Sequence, residues 1–408
     1  MKKIFIFIFS IFIFSSAYSQ TKHISNMSDK DYSALLQESI LSYGNNYNLK
    51  LFLDKIKKGE KVSIAALGGS VTEGAGPALF TDGYAYQFNR KIRTQFTKDN
   101  GKNIFFDGAG LSGTPSPIGL VRYEQDVTKV LKQNPDLLII EFAVNDGGEQ
   151  THQRGFEALI HDALTNNPNT AIIILYSAAT YGNTQNQMIP IANYYNIPQI
   201  SILNIVNKSI NNKTINEKDF YTDIVHPTKE GHELVADCLM QLLNQTNKNK
   251  QNEKPAIPTK SYLESNLFGF KQILSDNQDV KITSGGFNSI DSQTQYLQKT
   301  KQSNFPFNWY HKPGNSNDSF NLEINCKNLI LVYKENSQYS NVKFGKADLF
   351  IDGKYIKTFD CSKNNGWGNC LFELIIDEKV SAKHSVQIKM QDDSKDLGFT
   401  IVALGYSK

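Results

Sequence analysis

The sequence predicts a three-layer α/β/α domain built on a parallel sheet, followed by an all-β sandwich. Two textures carry that prediction. Apolar runs at residues 63–67, 104–106, 137–142, 171–176 and 197–203 alternate with helix-like stretches at 85–96, 126–132, 156–164 and 188–195. Strands that are apolar on both faces and separated by helices belong to a parallel sheet covered on both sides. From about residue 262 the pattern changes to alternating segments, such as 329–333, 346–351, 371–376, 385–390 and 399–404. Asp-Gly, Asn-Gly and other glycine-rich turns punctuate them, with no helical period between, which is how a sandwich reads.

Residues 1–19 read as a signal peptide. Lys2 and Lys3 precede an apolar stretch at 4–13, and the small residues Ala17 and Ser19 stand before Gln20. The apolar stretch is too short to span a bilayer, so the expected product is secreted or periplasmic, with no transmembrane segment in the mature chain. Residues 20–245 form the expected catalytic domain. A helical pattern at 34–58 leads into the strand ending at Leu67, and Leu234, Val235, Cys238, Leu239 and Leu242 at helical spacing close the domain. Residues 246–261 are polar with prolines and read as a linker. Residues 262–408 form the sandwich.

At 408 residues, with 40% hydrophobic and 20% charged residues, the chain is a globular protein of two ordinary domains. Its formal charge of +3 falls to about +1 once Lys2 and Lys3 are removed, which leaves no footprint for nucleic acid or anionic membrane. Cys361 and Cys370 flank a loop rich in glycine and asparagine. In an oxidising compartment they either staple it or remain free buried thiols. No Cys/His spacing resembles a zinc site, and the expected chemistry takes no metal or organic cofactor.

Two glycine-rich turns invite nucleotide readings. Residues 69–74 have the glycine spacing of a phosphate loop, but Ala75-Gly76 stands where Lys-Ser/Thr is required. Residues 108–113 satisfy a dinucleotide pattern, but Thr114-Pro115-Ser116-Pro117 occupies the place where a helix should open. A hydrolytic reading is stronger. Gly68-Gly69-Ser70 puts a hydroxyl on a tight turn at a strand's carboxyl end, where open α/β folds bind and react. A serine needs an imidazole to take its proton and an acid to orient that imidazole. Asp223 and His226, three residues apart before Pro227, supply both in one loop. Asn145, just past the strand at 137–142, lies in the same layer as Ser70. Its amide, a glycine N–H and the serine's own N–H offer three oxyanion donors. Singly, each of these segments is an ordinary turn. Asp146, Glu149, His152 and Arg154 read as solvated surface or cleft rim, and His161, His232, His311 and His384 as surface or packing residues.

These blocks, spread over residues 60–245, resemble the SGNH (GDSL-type) hydrolases, a family of esterases and deacetylases. Gly68-Gly69-Ser70 stands for the family's Gly-Asp-Ser. Gly110-Leu111-Ser112-Gly113, Glu141–Asp146 and Asp223–Pro227 resemble the later blocks. The resemblance implies a flavodoxin-like sheet, Ser70 as nucleophile, His226 as base, Asp223 as its orienter, and Ser70, Gly113 and Asn145 as the oxyanion hole. One departure stands out: Gly69 replaces the family's aspartate.

The expected function is a serine esterase acting through an acyl-enzyme, most simply on O-acetyl groups of a carbohydrate. The partner is an acylated carbohydrate or another small ester, and not nucleic acid. An O-acyltransferase with the same residues, a catalytically dead glycan-binding surface protein and a lipid esterase are the rivals. In the sandwich, Trp309, Tyr310 and Trp367 serve either as glycan platforms or as core packing.

Overall fold

The computed structural model of the protein describes residue 24 and residues 27–273, 280–300, 302–363 and 366–408. The expected signal peptide lies outside the described residues. The α/β part contains the strands β1 (Ile40–Ser42), β2 (Val62–Gly68), β3 (Ile104–Gly110), β4 (Leu137–Glu141), β5 (Ala171–Tyr176) and β6 (Gln199–Ser201). Its helices are α1 (Asp29–Glu38), α2 (Tyr47–Lys58), α3 (Ser70–Glu73), α4 (Tyr84–Phe96), α5 (Ser116–Tyr123) and α6 (Lys129–Leu131), then α7 (Gln150–Asn166), α8 (Gln185–Tyr194), α9 (Ile202–Asn211), α10 (Glu217–Phe220) and α11 (Lys229–Lys248).

The sheet order is β1-β6-β5-β4-β2-β3. All pairs are parallel except β1 with β6. Strands β2, β4 and β5 are buried along their whole length, because helices cover both faces. Leu53, Phe88, Ile205 and Leu239 bring α2, α4, α9 and α11 onto one face. Phe156, Leu159 and Ile191 bring α7 and α8 onto the other. From β2 the chain steps to β3 on one side and then to β4 on the other. That reversal opens a crevice at the carboxyl end of β2, where Ser70 begins α3.

Three local expectations are corrected. The helical stretch at 34–58 is broken by β1, because Gly44 at φ +49° turns the chain and Ile40 and Ser42 pair with β6. The stretch at 126–132 is a π-helical turn, Glu124–Thr128, running into α6. A helix does open after Thr114-Pro115: α5 starts at Ser116, with Pro117 inside its first turn, where a missing N–H costs no bond. The Ser116 N–H donates to Asp146 Oδ1 at 2.7 Å.

The remaining strands are β7 (Lys271–Ile273), β8 (Val280–Thr283), β9 (Tyr296–Leu297), β10 (Gln302–Ser303), β11 (Trp309–His311), β12 (Phe320–Lys334), β13 (Lys346–Ile351), β14 (Lys354–Asp360), β15 (Cys370–Met390) and β16 (Phe399–Ser407). All pairings among them are antiparallel. The long strands β12 and β15 pair with each other in one eight-stranded sheet, and their register shifts between Cys326 and Asn328. The first half of β12 pairs with β8 and the second half with β16. Phe320, Leu322, Leu331, Phe399 and Leu404 belong to one buried apolar cluster. All four cysteines are free and buried. Trp309 and Tyr310 belong to this core. Among the described residues no helix is long and apolar enough to cross a membrane.

Residues 249–263 run along the α/β domain rather than away from it. Asn46 and Asn252 exchange hydrogen bonds at 2.8 Å. The buried Glu157 accepts from Ser261 Oγ and from the N–H groups of Tyr262 and Leu263. The two domains then meet over Leu111, Ile118, Val121, Phe305, Ile330 and Val402. At the edge of this contact Arg154 forks onto both carboxylate oxygens of Asp377 at 2.7 Å, a bidentate geometry that fixes orientation.

Candidate active site

Strand β2 ends in Gly68, and the chain turns at Gly69 into α3, whose first residue is Ser70. The Ser70 hydroxyl lies 2.9 Å from His226 Nε2. The other ring nitrogen, Nδ1, is 2.7 Å from Asp223 Oδ2. Asp223 Oδ1 accepts from the N–H groups of Val225 and His226, each at 2.8 Å, so one carboxylate shapes the loop and orients the ring. Desolvation is the largest single influence on this carboxyl and opposes its charge, but the hydrogen bonds together outweigh it. The His226 ring and these two N–H donors hold the carboxyl below the usual carboxylate range. With Nδ1–H donating to Asp223, Nε2 is free to accept from Ser70.

Ser70 and His226 line a cleft of about 580 Å³ together with Gly113, Asn145, Tyr181 and Glu73. Gly113 lies in the turn after β3 at φ +67°, a left-handed backbone that glycine adopts without a Cβ clash. The geometry also accounts for Gly69. A Cβ built there would stand 1.9 Å from Asn145 Oδ1 and 2.6 Å from its Cγ. The Asn145 amide occupies the space that a side chain at position 69 would need.

Four residues that the sequence did not single out hold this arrangement. The fully buried Arg122 donates to Gly68 O and Ala109 O, each at 2.8 Å, and pairs with Asp126. It thereby ties the ends of β2 and β3 together. Glu73 accepts from Ser112 N–H at 3.1 Å and from the Ser112 hydroxyl. Burial raises its pKa against those donors. Glu141, at the end of β4, accepts from Thr72 Oγ1 at 2.8 Å, and that hydroxyl also bonds Tyr84. Gln295 reaches over from the β domain to donate to Ser112 O at 2.5 Å.

Three residues read as solvated surface or rim have internal partners instead. Asp146 caps α5 through Ser116, His152 Nδ1 accepts from Gly147 N–H, and Arg154 bridges the domains. His232 is buried between Tyr84 N–H and Ala75 O, and burial lowers its pKa to about 4. Trp367 is 46% exposed and lies on the cleft wall with Gly368, Gln293, Thr294 and Gln298. The β domain therefore supplies one side of the cleft.

Burial pushes Glu141 up to about 7, with the Thr72 hydroxyl opposing the rise, and burial likewise raises Asp146 to about 7. Both carboxyls bind protons more tightly when folded than when unfolded. The stability they contribute is complete below about pH 4 and is lost as pH climbs through about 7. For Glu141 this is on the order of 3 kcal/mol. Glu141→Gln is expected to roughly halve the fall in unfolding free energy between pH 4 and 8, leaving the Asp146 part, and to raise Tm at pH 8. Denaturant titrations across that range check it, and an unchanged slope refutes it.

Residues 66–234 match the model of the GDSL-like Lipase/Acylhydrolase family. The matched stretch contains Ser70, Gly113, Asn145, Asp223 and His226. The sequence finds no match among curated proteins. Among solved structures the chain is similar to a two-domain esterase (CEX) active on acetylated mannans. Identity is 23% and the TM-score 0.76, over 91% of this chain and 99% of that one. A structure of a two-domain esterase (CEX) active on acetylated mannans, co-crystallized with mannopentaose, matches with a TM-score of 0.77 and 23% identity, over 91% of this chain and 98% of that one. The likeness extends over the α/β domain and the β domain together, so this chain shares the two-domain fold of that protein.

Proposed function

We propose that the protein is a serine esterase that removes O-acetyl groups from a carbohydrate. The observation that carries this reading is the hydrogen-bonded run Asp223–His226–Ser70, opening into a cleft that also holds Gly113 and Asn145. Ser70 Oγ attacks the acetyl carbonyl as His226 Nε2 takes its proton, and Asp223 stabilises the imidazolium. The carbonyl oxygen, now an alkoxide, faces the N–H groups of Ser70 and Gly113 and the amide of Asn145. Each such donor lowers the barrier by about 3 kcal/mol. The imidazolium returns its proton to the sugar oxygen, which leaves as the alcohol. Water, deprotonated by His226, then cleaves the acetyl-enzyme and releases acetate.

The carbohydrate part of the reading is supported by the cleft wall. An exposed indole, Trp367, stands beside the amide-bearing Gln293 and Gln298, the mixture of flat apolar face and hydrogen-bonding groups that suits a sugar ring. The shared two-domain fold of an esterase active on acetylated mannans points the same way.

Acetate release from 4-nitrophenyl acetate and from a panel of acetylated mannan, xylan and other glycans tests the reading, and a wild-type protein inactive on all of them overturns it. Release that collapses when an unacetylated acceptor glycan is added, with the acetyl group recovered on the acceptor, would instead mark an acyltransferase. Trp367→Ala is expected to raise KM for an acetylated oligosaccharide about tenfold, the equivalent of roughly 1.4 kcal/mol. 4-Nitrophenyl acetate, too small to span the cleft, should be affected less. Equal effects on both substrates would remove Trp367 from sugar binding.

A further inference from the structure

The turn that carries Gly113 is held from two domains. On one side Glu73, in the helix begun by Ser70, accepts the Ser112 N–H at 3.1 Å. On the other, Gln295 of the β domain donates its Nε2–H to the Ser112 carbonyl at 2.5 Å. The Ser112 carbonyl and the Gly113 N–H belong to one peptide unit, which is planar and trans. Its C=O and N–H therefore point in opposite directions, and a donor that pins the oxygen also aims the N–H. A hydrogen bond on the oxygen polarises the unit as well and makes its N–H a better donor.

Gln295 is itself fixed. It is 8% exposed, its Oε1 accepts from Cys370 N–H at 3.0 Å, and its backbone oxygen accepts from Asn304 N–H at 2.8 Å. No acceptor among the described residues takes the Gly113 N–H. The Glu73 bond secures only the preceding peptide unit. Glycine at φ +67° offers little resistance to rotation by itself.

We infer that Gln295 is a positioning residue for catalysis: through the Ser112 carbonyl, the β domain aims the Gly113 N–H at the oxyanion. The inference rests on Gly113 acting as an oxyanion donor, as in the function proposed above. It makes the β domain part of the catalytic apparatus toward any ester, including one too small to touch that domain.

The test uses the full chain and two variants. Gln295→Met keeps the volume and removes the donor. Gln295→Glu keeps the acceptor for Cys370 N–H and sets a carboxylate oxygen against the Ser112 carbonyl. With 4-nitrophenyl acetate, Gln295→Met is expected to lose between roughly 10- and 100-fold in kcat with KM nearly unchanged, and Gln295→Glu to lose more. Affinity for a trifluoromethyl ketone, which forms a tetrahedral adduct on Ser70, should fall by the same factor. Rates are normalised to active sites titrated with a fluorophosphonate, so unfolded material does not count.

A purely structural role would lower Tm and the titrated fraction while leaving the normalised kcat intact, and would overturn the inference. A role in substrate contact alone would raise KM for an acetylated glycan and spare the aryl ester, and would also overturn it. If the wild type hydrolyses no ester, the proposed function itself fails. If the wild type is active, Ser70→Ala is inactive and both Gln295 variants keep full kcat, only this inference falls.

Discussion

Alanine at position 70 is expected to lower kcat for 4-nitrophenyl acetate by roughly 10⁴- to 10⁶-fold while the protein remains folded. The reason is geometric. Ser70 Oγ lies 2.9 Å from His226 Nε2, so deletion removes the attacking atom and leaves the imidazole with nothing to deprotonate except water. The fold tolerates the change. The lost hydrogen bond is a single one at the mouth of a cleft, worth about 1 kcal/mol, and the turn itself is held by Arg122 on Gly68 O. His226→Ala should be comparably damaging, and the double variant hardly worse than either, because nucleophile and base act as one unit. Steady-state kinetics with Tm measured alongside decide the matter. A Ser70→Ala protein that keeps even a tenth of wild-type kcat would remove Ser70 from the chemistry.

The second large effect is expected at Gly69, the position that departs from the family pattern. Gly69→Ala should lower kcat by about 10²-fold with little change in Tm. The added Cβ falls 1.9 Å from Asn145 Oδ1, and the atom in its way is the end of a side chain rather than backbone. The amide therefore turns aside at small cost to the fold and large cost to the oxyanion. Gly69→Asp should be more severe, since it places a carboxylate beside the developing negative charge. A double-mutant cycle makes the test sharp. Asn145→Ala and Gly69→Ala remove the same donor, so the combined variant should be no slower than the slower single one. Multiplicative losses would show that Gly69 serves the site in some other way.

Much of this site was legible because its parts are local. Asp223 and His226 sit three residues apart in one loop, and the carboxylate bonds the backbone of that same loop. Gly68-Gly69-Ser70 follows a continuous apolar strand directly. The periods of β2, β4, β5 and α11 were readable for the same reason: burial on both faces, or on one helical face, leaves its mark within a dozen residues. The misreadings came where a local pattern had two outcomes. Pro115 and Pro117 end a helix or begin one, and here they begin α5. The 34–58 stretch had the residues of one helix until Gly44 turned the chain and β6 claimed Ile40 and Ser42 as partners.

By itself the sequence pointed to the central strands β2 to β6 alternating with helices, to the change to β structure after about residue 262, and to the five residues proposed for the site. Only the tertiary structure decided what holds and completes the cleft. Arg122 joins the ends of β2 and β3, the side chains of Glu73 and Gln295 grip the turn of Gly113, and Trp367 faces the cleft although its neighbours in type, Trp309 and Tyr310, are core. The physical reason is distance along the chain. Gln295 and Ser112 are 183 residues apart, and Arg154 and Asp377 are 223 apart. Such pairings leave no period in either segment, because a side chain's local pattern records whether it is buried and not what it meets there.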